Sequence, residues 1–122
     1  MLKAVNAIGS EDFHKKAVFF DADGTICDIE KGTPASAVEA ITKLVENGHE
    51  AWLCTGRSRA FVPYYLEQIP FTGMISACGC TIEKNGERLF NNEMTTQEAW
   101  RSVEVLRKYG MVPVMELSLI HI

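Results

Sequence analysis

The chain has 122 residues, 47% of them hydrophobic and 23% charged, and a formal net charge of −4 at pH 7. That length suits one ordinary domain or part of a larger one, and the composition is that of a soluble globular protein. No basic stripe marks a nucleic-acid surface, and nothing approaches the ~18 consecutive apolar residues of a membrane span, so neither nucleic acid nor membrane is expected as a partner.

Residues 1–16 are weakly patterned and lack an apolar stretch followed by a small-residue cleavage site, so they read as a leader without assigned role and the protein is expected in the cytoplasm. Cys27, Cys54, Cys78 and Cys80 read as reduced thiols in that compartment, and Cys78-x-Cys80 lacks the paired spacing of a zinc site.

The first structured stretch is Ala17-Val18-Phe19-Phe20-Asp21-Ala22-Asp23-Gly24-Thr25. An apolar strand over Ala17 to Asp21 ends in two acids two positions apart, whose side chains point the same way in extended backbone. Two aligned carboxylates at a buried strand end call for a cation or a proton between them. Gly24 permits a sharp turn or close approach to a ligand, and Thr25 supplies a hydroxyl. After a polar loop, Thr33 is expected to cap a helix with Pro34 at its first position. Val38, Ile41, Leu44 and Val45 recur at helical spacing, Glu39 and Lys43 form an i,i+4 pair, and Asn47-Gly48 stops the helix.

Ala51-Trp52-Leu53-Cys54 is a strand buried on both faces that runs into Thr55-Gly56-Arg57. Ser58 is expected to cap a second helix carrying Val62, Tyr65, Leu66 and Ile69, with Pro63 disturbing its start. Gly73-Met74-Ile75 reads as a third strand. Strand, helix, strand, helix, strand is the pattern of an α/β fold with a parallel sheet, which binds ligands at the carboxyl ends of its strands, where Asp21, Asp23 and Thr55 fall. Beyond Ala77 the texture changes. A hairpin turning at Asn85-Gly86, a helix opened by the capping box Thr95-x-x-Glu98 and ended by Gly110, and a strand over Val112 to Glu116 suggest a mixed α+β unit.

The string Asp21-x-Asp23-Gly24-Thr25 resembles motif I of the haloacid dehalogenase-like (HAD) phosphohydrolases, and Thr55-Gly56-Arg57 resembles their motif II. The short spacing between them is similar to the Cof-type branch, in which a cap domain is inserted after the third strand. Ser76-Ala77-Cys78-Gly79-Cys80-Thr81-Ile82 resembles the Asn-Gly-Ala strand end of that branch, with Cys78 where Asn is usual.

The resemblance implies a HAD-like, Rossmann-type core over residues 17–80, its N-terminal part only, and the start of an inserted α+β cap over residues 81–116. It implies Asp21 as nucleophile and metal ligand, and Asp23 as general acid/base whose backbone carbonyl also ligates the metal. It further implies Thr55, Gly56 and Gly24 as phosphate-binding residues, Mg2+ as cofactor and a small-molecule phosphate ester, a sugar phosphate first, as substrate. Arg57 reads as a salt-bridging or substrate-edge residue. A phosphomutase of the same superfamily and a phosphoacceptor or binding domain without turnover stay open as alternatives.

The motif III Lys and the motif IV acids follow the cap in this branch, so Lys84 and Lys108 are not assigned that role. The terminal Leu117-Ser118-Leu119-Ile120-His121-Ile122 can be encoded by CTG TCT CTT ATA CAC ATC, which matches the start of a transposon end used as a sequencing adapter. Residues 117–122 are therefore expected to be non-native, with the natural chain continuing past Glu116. The 122-residue chain alone, its motif I strand an uncovered edge, is expected to be poorly soluble and without phosphatase activity.

Overall fold

The computed structural model describes residues 15–28 and 30–116. Most of the expected leader and the whole terminal hexapeptide lie outside the described residues.

Burial decides the architecture. Ala51, Leu53, Ile41 and Leu66 are fully or almost fully buried, and Ala22, Ile26, Cys27, Val62 and Ile69 close the same core. Burial of each large side chain here contributes about 1.5–3 kcal/mol. Strands β1 (Ala17–Asp21), β2 (Glu50–Cys54) and β3 (Gly73–Ser76) run parallel, with Asp21 level with Cys54 and Cys54 level with Ile75. Strands β4 (Thr81–Lys84) and β5 (Glu87–Asn91) continue the sheet antiparallel, in the order β1-β2-β3-β4-β5. The parallel half thus has the expected α/β form, and β1 forms one edge of the described sheet.

Helix α1 (Ala35–Glu46) lays Ile41 into the core with Val38, Leu44 and Val45 packed around it. Lys43 and Glu39 pair at 2.7 Å on its outer side, and Asn47 and Gly48, the latter at φ +83°, end it. On the other sheet face Phe19, 57% exposed, stacks on Trp52 at 5.9 Å. Gly73 is required beneath this indole, since a Cβ there would lie 2.4 Å from a ring carbon of Trp52.

Several expectations need correction. Pro34, not Thr33, is the N-cap of α1; it takes extended backbone, and the Thr33 hydroxyl is buried without a partner. The helix expected after Ser58 is broken into a single 3-10 turn (Arg59–Phe61) and the short α2 (Tyr64–Glu67). Pro63 is the reason: it lacks the N–H needed inside a helix and instead becomes the N-cap of α2. Helix α3 (Thr96–Lys108) has both hydrogen bonds of its capping box. Val112 to Glu116 forms no strand, and Val112 and Val114 are 89% and 78% exposed, because no described strand offers a ladder to pair with. Near Thr81, where the texture changes, the sheet switches from parallel to antiparallel pairing.

Candidate active site

The loop after β1 is wound around one carbonyl. Ala22 is fully buried, and its oxygen accepts from the N–H groups of Thr25, Ile26 and Cys27 at 3.0–3.3 Å and from the Cys27 thiol at 3.2 Å. With Ala22 turned into the core, Asp21 and Asp23 on either side of it are both exposed, as the two-residue spacing requires. Gly24 sits at φ +78° and donates its N–H to the Cys27 carbonyl at 2.9 Å. Its amide is therefore committed within the loop, and what Gly24 contributes is the left-handed turn.

The two acids have different surroundings. Asp21 accepts one side-chain hydrogen bond, from the Thr25 hydroxyl at 3.0 Å. Asp23 is gripped by Arg57, whose Nε and terminal nitrogen reach its two carboxylate oxygens at 2.9 and 2.7 Å. This two-armed, charge-assisted contact holds the Asp23 carboxyl below its ordinary value, chiefly through the Arg57 hydrogen bonds. The third Arg57 nitrogen donates to the Phe61 carbonyl at 3.3 Å, tying the fork to the 3-10 turn. Arg57 forms an ion pair with Asp23. Cys27 lies beside the pair, its Sγ 3.9 Å from an Asp23 oxygen, and burial pushes its thiol up.

Parallel pairing brings motif II alongside. Because Asp21 is level with Cys54, Thr55 emerges next to the acidic loop. The Thr55 side chain is buried, and its oxygen accepts from the Arg57 N–H at 3.1 Å. That contact orients the hydroxyl and leaves its proton for an acceptor in front of the turn. Gly56 lies in a turn that leads into the 3-10 turn Arg59–Phe61. Among the described residues the Gly56 N–H has no acceptor.

Across the turn, Ala77 and Cys78 at the end of β3 take positive φ values of 50° and 54°, and the Cys78 thiol lies 3.8 Å from the Gly56 carbonyl. Asn, the residue usual in the resembling motif, tolerates this backbone region better than Cys does, which gives the pattern a physical reason.

Two features of this end escaped the sequence reading. The hydroxyls of Ser58 and Ser76 are buried and, among the described residues, without a partner. Ser58 makes no side-chain cap hydrogen bond to the 3-10 turn, and its N–H donates to the Glu116 carboxylate at 3.3 Å. Beside the turn a cavity of about 540 Å³ opens between the 3-10 turn, the end of the hairpin and α3, with Ser58, Cys80, Thr81, Trp100 and Glu116 among its walls.

A parallel sheet carrying an Asp-x-Asp loop, with a Thr-Gly-Arg turn at the neighbouring strand end, defines a class that the comparisons identify. The model of the haloacid dehalogenase-like hydrolases matches residues 18–120. The chain belongs to this family. It is 33% identical over 88 residues to the 5-amino-6-(5-phospho-D-ribitylamino)uracil phosphatase YwtE of Bacillus subtilis (strain 168), covering 72% of this chain and 30% of YwtE. It is 32% identical over 79 residues to YkrA of the same organism, covering 65% of this chain and 31% of YkrA. The chain thus spans less than a third of the length of these curated relatives.

Among solved structures, a hypothetical protein from Geobacillus kaustophilus HTA426 superposes with a TM-score of 0.69 at 28% identity, over 79% of this chain and 38% of that one. The HAD subclass IIB sugar phosphatase BT4131 superposes with a TM-score of 0.65 at 25% identity, again over 79% and 38%. No helix among the described residues is long and apolar enough to cross a membrane.

Proposed function

We propose that these residues form the nucleophile half of a magnesium-dependent phosphatase acting on small phosphorylated metabolites, sugar phosphates first, and that turnover belongs to the whole protein. The observation that carries the reading is the unequal pair of acids beside Thr55: an exposed Asp21 held by one hydroxyl, and an Asp23 held by a guanidinium.

In the proposed reaction an Asp21 oxygen attacks phosphorus, the bond to the leaving oxygen breaks, and Asp23 delivers a proton to that oxygen. Asp23 then takes a proton from the water that attacks the aspartyl-phosphate, releasing inorganic phosphate and restoring Asp21. The Thr55 hydroxyl and the Gly56 N–H donate to the phosphoryl oxygens. The Arg57 fork keeps Asp23 ionised before substrate arrives. An incoming phosphate competes for that guanidinium, which favours protonation of Asp23 at the stage when an acid is needed.

The Asp21 carboxylate and the Asp23 carbonyl are an all-oxygen donor set that suits magnesium, an ion that usually keeps several waters. Among the described residues no group of three His, Cys, Asp or Glu side chains converges. Magnesium, when bound, would offset the charge of the phosphate as Asp21 approaches it.

The test is a panel of phosphomonoesters offered to the whole protein with and without magnesium, alongside Asp21→Asn. Magnesium-dependent release of inorganic phosphate, lost in the variant, is expected. An isomeric phosphoester as the only product would mean a mutase, and unchanged turnover by Asp21→Asn would remove Asp21 from the chemistry.

A further inference from the structure

Cys78-Gly79-Cys80 stands at the turn between β3 and β4, where the resembling motif has Asn-Gly-Ala. Both cysteines are free and exposed, and Cys80 lines the cavity beside the phosphate-binding turn. Two virtual bonds and a bend keep their Cα atoms within about 7 Å of each other, at the edge of the range a disulfide spans. The turn is held by hydrogen bonds from Cys80 N–H to the Ala77 carbonyl at 3.1 Å and from Cys78 N–H to the Thr55 carbonyl at 3.4 Å. The Cys78 thiol also contacts the Gly56 carbonyl, and a Cβ placed on Gly56 would lie 3.4 Å from that sulfur. Cys78 is therefore in direct contact with the turn that carries Thr55 and Gly56.

We propose that Cys78 and Cys80 form a redox-responsive dithiol that adjusts this turn, closing to a disulfide under a disulfide-class oxidant such as oxidised glutathione. One thiolate attacks the glutathione disulfide and releases one glutathione thiol; the second thiolate displaces the other. The net change is dithiol plus oxidised glutathione to protein disulfide plus two glutathione thiols, a two-electron exchange. A disulfide sulfur carries no proton, so closure removes the S–H donor facing the Gly56 carbonyl. A disulfide closing so small a ring is strained and exposed, the kind that is readily reduced again and serves regulation rather than stability. The thiol chemistry stands apart from the phosphatase reading; only its consequence for phosphate binding rests on that reading.

The test uses the whole protein incubated with oxidised glutathione, alkylated after unfolding and digested with trypsin. The peptide from Ala60 to Lys84 contains both cysteines and no other. The expected product is this peptide without alkyl label and lighter by two hydrogens, both labels being lost together, while Cys27 and Cys54 are labelled as before. Cys80→Ser is expected to stop at a glutathione adduct on Cys78. Retention of both labels in excess oxidant, or adducts without ring closure in the unsubstituted chain, would overturn the proposal. Amide hydrogen exchange read at Arg57, whose N–H donates to the Thr55 hydroxyl oxygen, tests the coupling. Faster exchange after oxidation is expected, and identical exchange would show that the dithiol does not reach the turn.

Discussion

The two ends of the parallel sheet treat their polar groups in opposite ways. At the amino end of β2, Glu50 is saturated: Lys15 and Lys84 reach it at 3.0 and 2.9 Å, and the Trp52 indole donates to it at 3.0 Å. Lys84 also lies over the Trp52 ring, 5.8 Å from its centre. These contacts hold the Glu50 carboxyl down at about 2. At the carboxyl end, among the described residues, Asp21 has one hydroxyl, the Ser58 and Ser76 hydroxyls are buried without partners, and two non-glycine residues sit at positive φ. One end spends its hydrogen-bonding capacity on the fold. The other holds capacity in reserve, at a cost in stability, as sites that receive ligands do.

Substitutions at the two ends should therefore separate activity from stability. The largest effect is expected from Asp21→Asn in the whole protein: turnover falls by about 10³-fold or more, while the melting temperature stays level or rises slightly, because an exposed acid with a single partner is lost. A variant that unfolds instead would place Asp21 in the fold.

Next comes Gly73→Ala, at the end built for stability. Its methyl would meet the Trp52 ring, and overpacking of this kind costs about 1–3 kcal/mol. A lower urea midpoint is expected, with part of the loss recovered when Trp52→Leu is added; an unchanged midpoint would mean the indole moves freely.

Glu50→Gln should cost about 1–2 kcal/mol at neutral pH, and this loss depends on pH. The folded carboxyl lies at about 2 against an ordinary 4.5, so its stabilisation is complete above the ordinary value and fades as pH falls through that window. Thermal unfolding of both chains should show the gap closing between those values, and a constant gap would assign the effect to packing.

The smallest effect has the opposite sign. Ser76→Ala removes a buried hydroxyl that has no partner and should leave stability unchanged or raise it by up to about 1 kcal/mol. A clear loss in urea unfolding would mean that this hydroxyl is satisfied in the folded protein.

Local signals in the sequence were sufficient where the causes are local. The apolar runs of β1 to β3, the Asn85-Gly86 turn with both residues at positive φ, and the Thr95 capping box all appear where the sequence places them. Distant pairing was not legible. Nothing in Thr81 to Asn91 says that this hairpin joins the sheet of β1, and the alternation over Val112 to Glu116 has no described strand to answer it. Helical spacing persists across Pro63 because Leu66 and Ile69 are buried from a turn as well as from a helix.

At the site, the spacing of Asp21 and Asp23 pointed to two exposed carboxylates and Thr55 followed from the strand before it. The Arg57 fork on Asp23 spans 34 positions of sequence and needed the parallel register to be seen. The buried hydroxyls of Ser58 and Ser76 carried no signal, since serine at a strand or turn end is ordinary.

The central claim is that Asp21 accepts the phosphoryl group. Brief exposure of the whole protein to a turned-over phosphomonoester and magnesium, followed by borohydride, would reduce an aspartyl-phosphate to homoserine, and peptide mass spectrometry would locate it. The account predicts homoserine at position 21 and at no other aspartate. Homoserine at another position, or none at position 21 under conditions of active turnover, would contradict it.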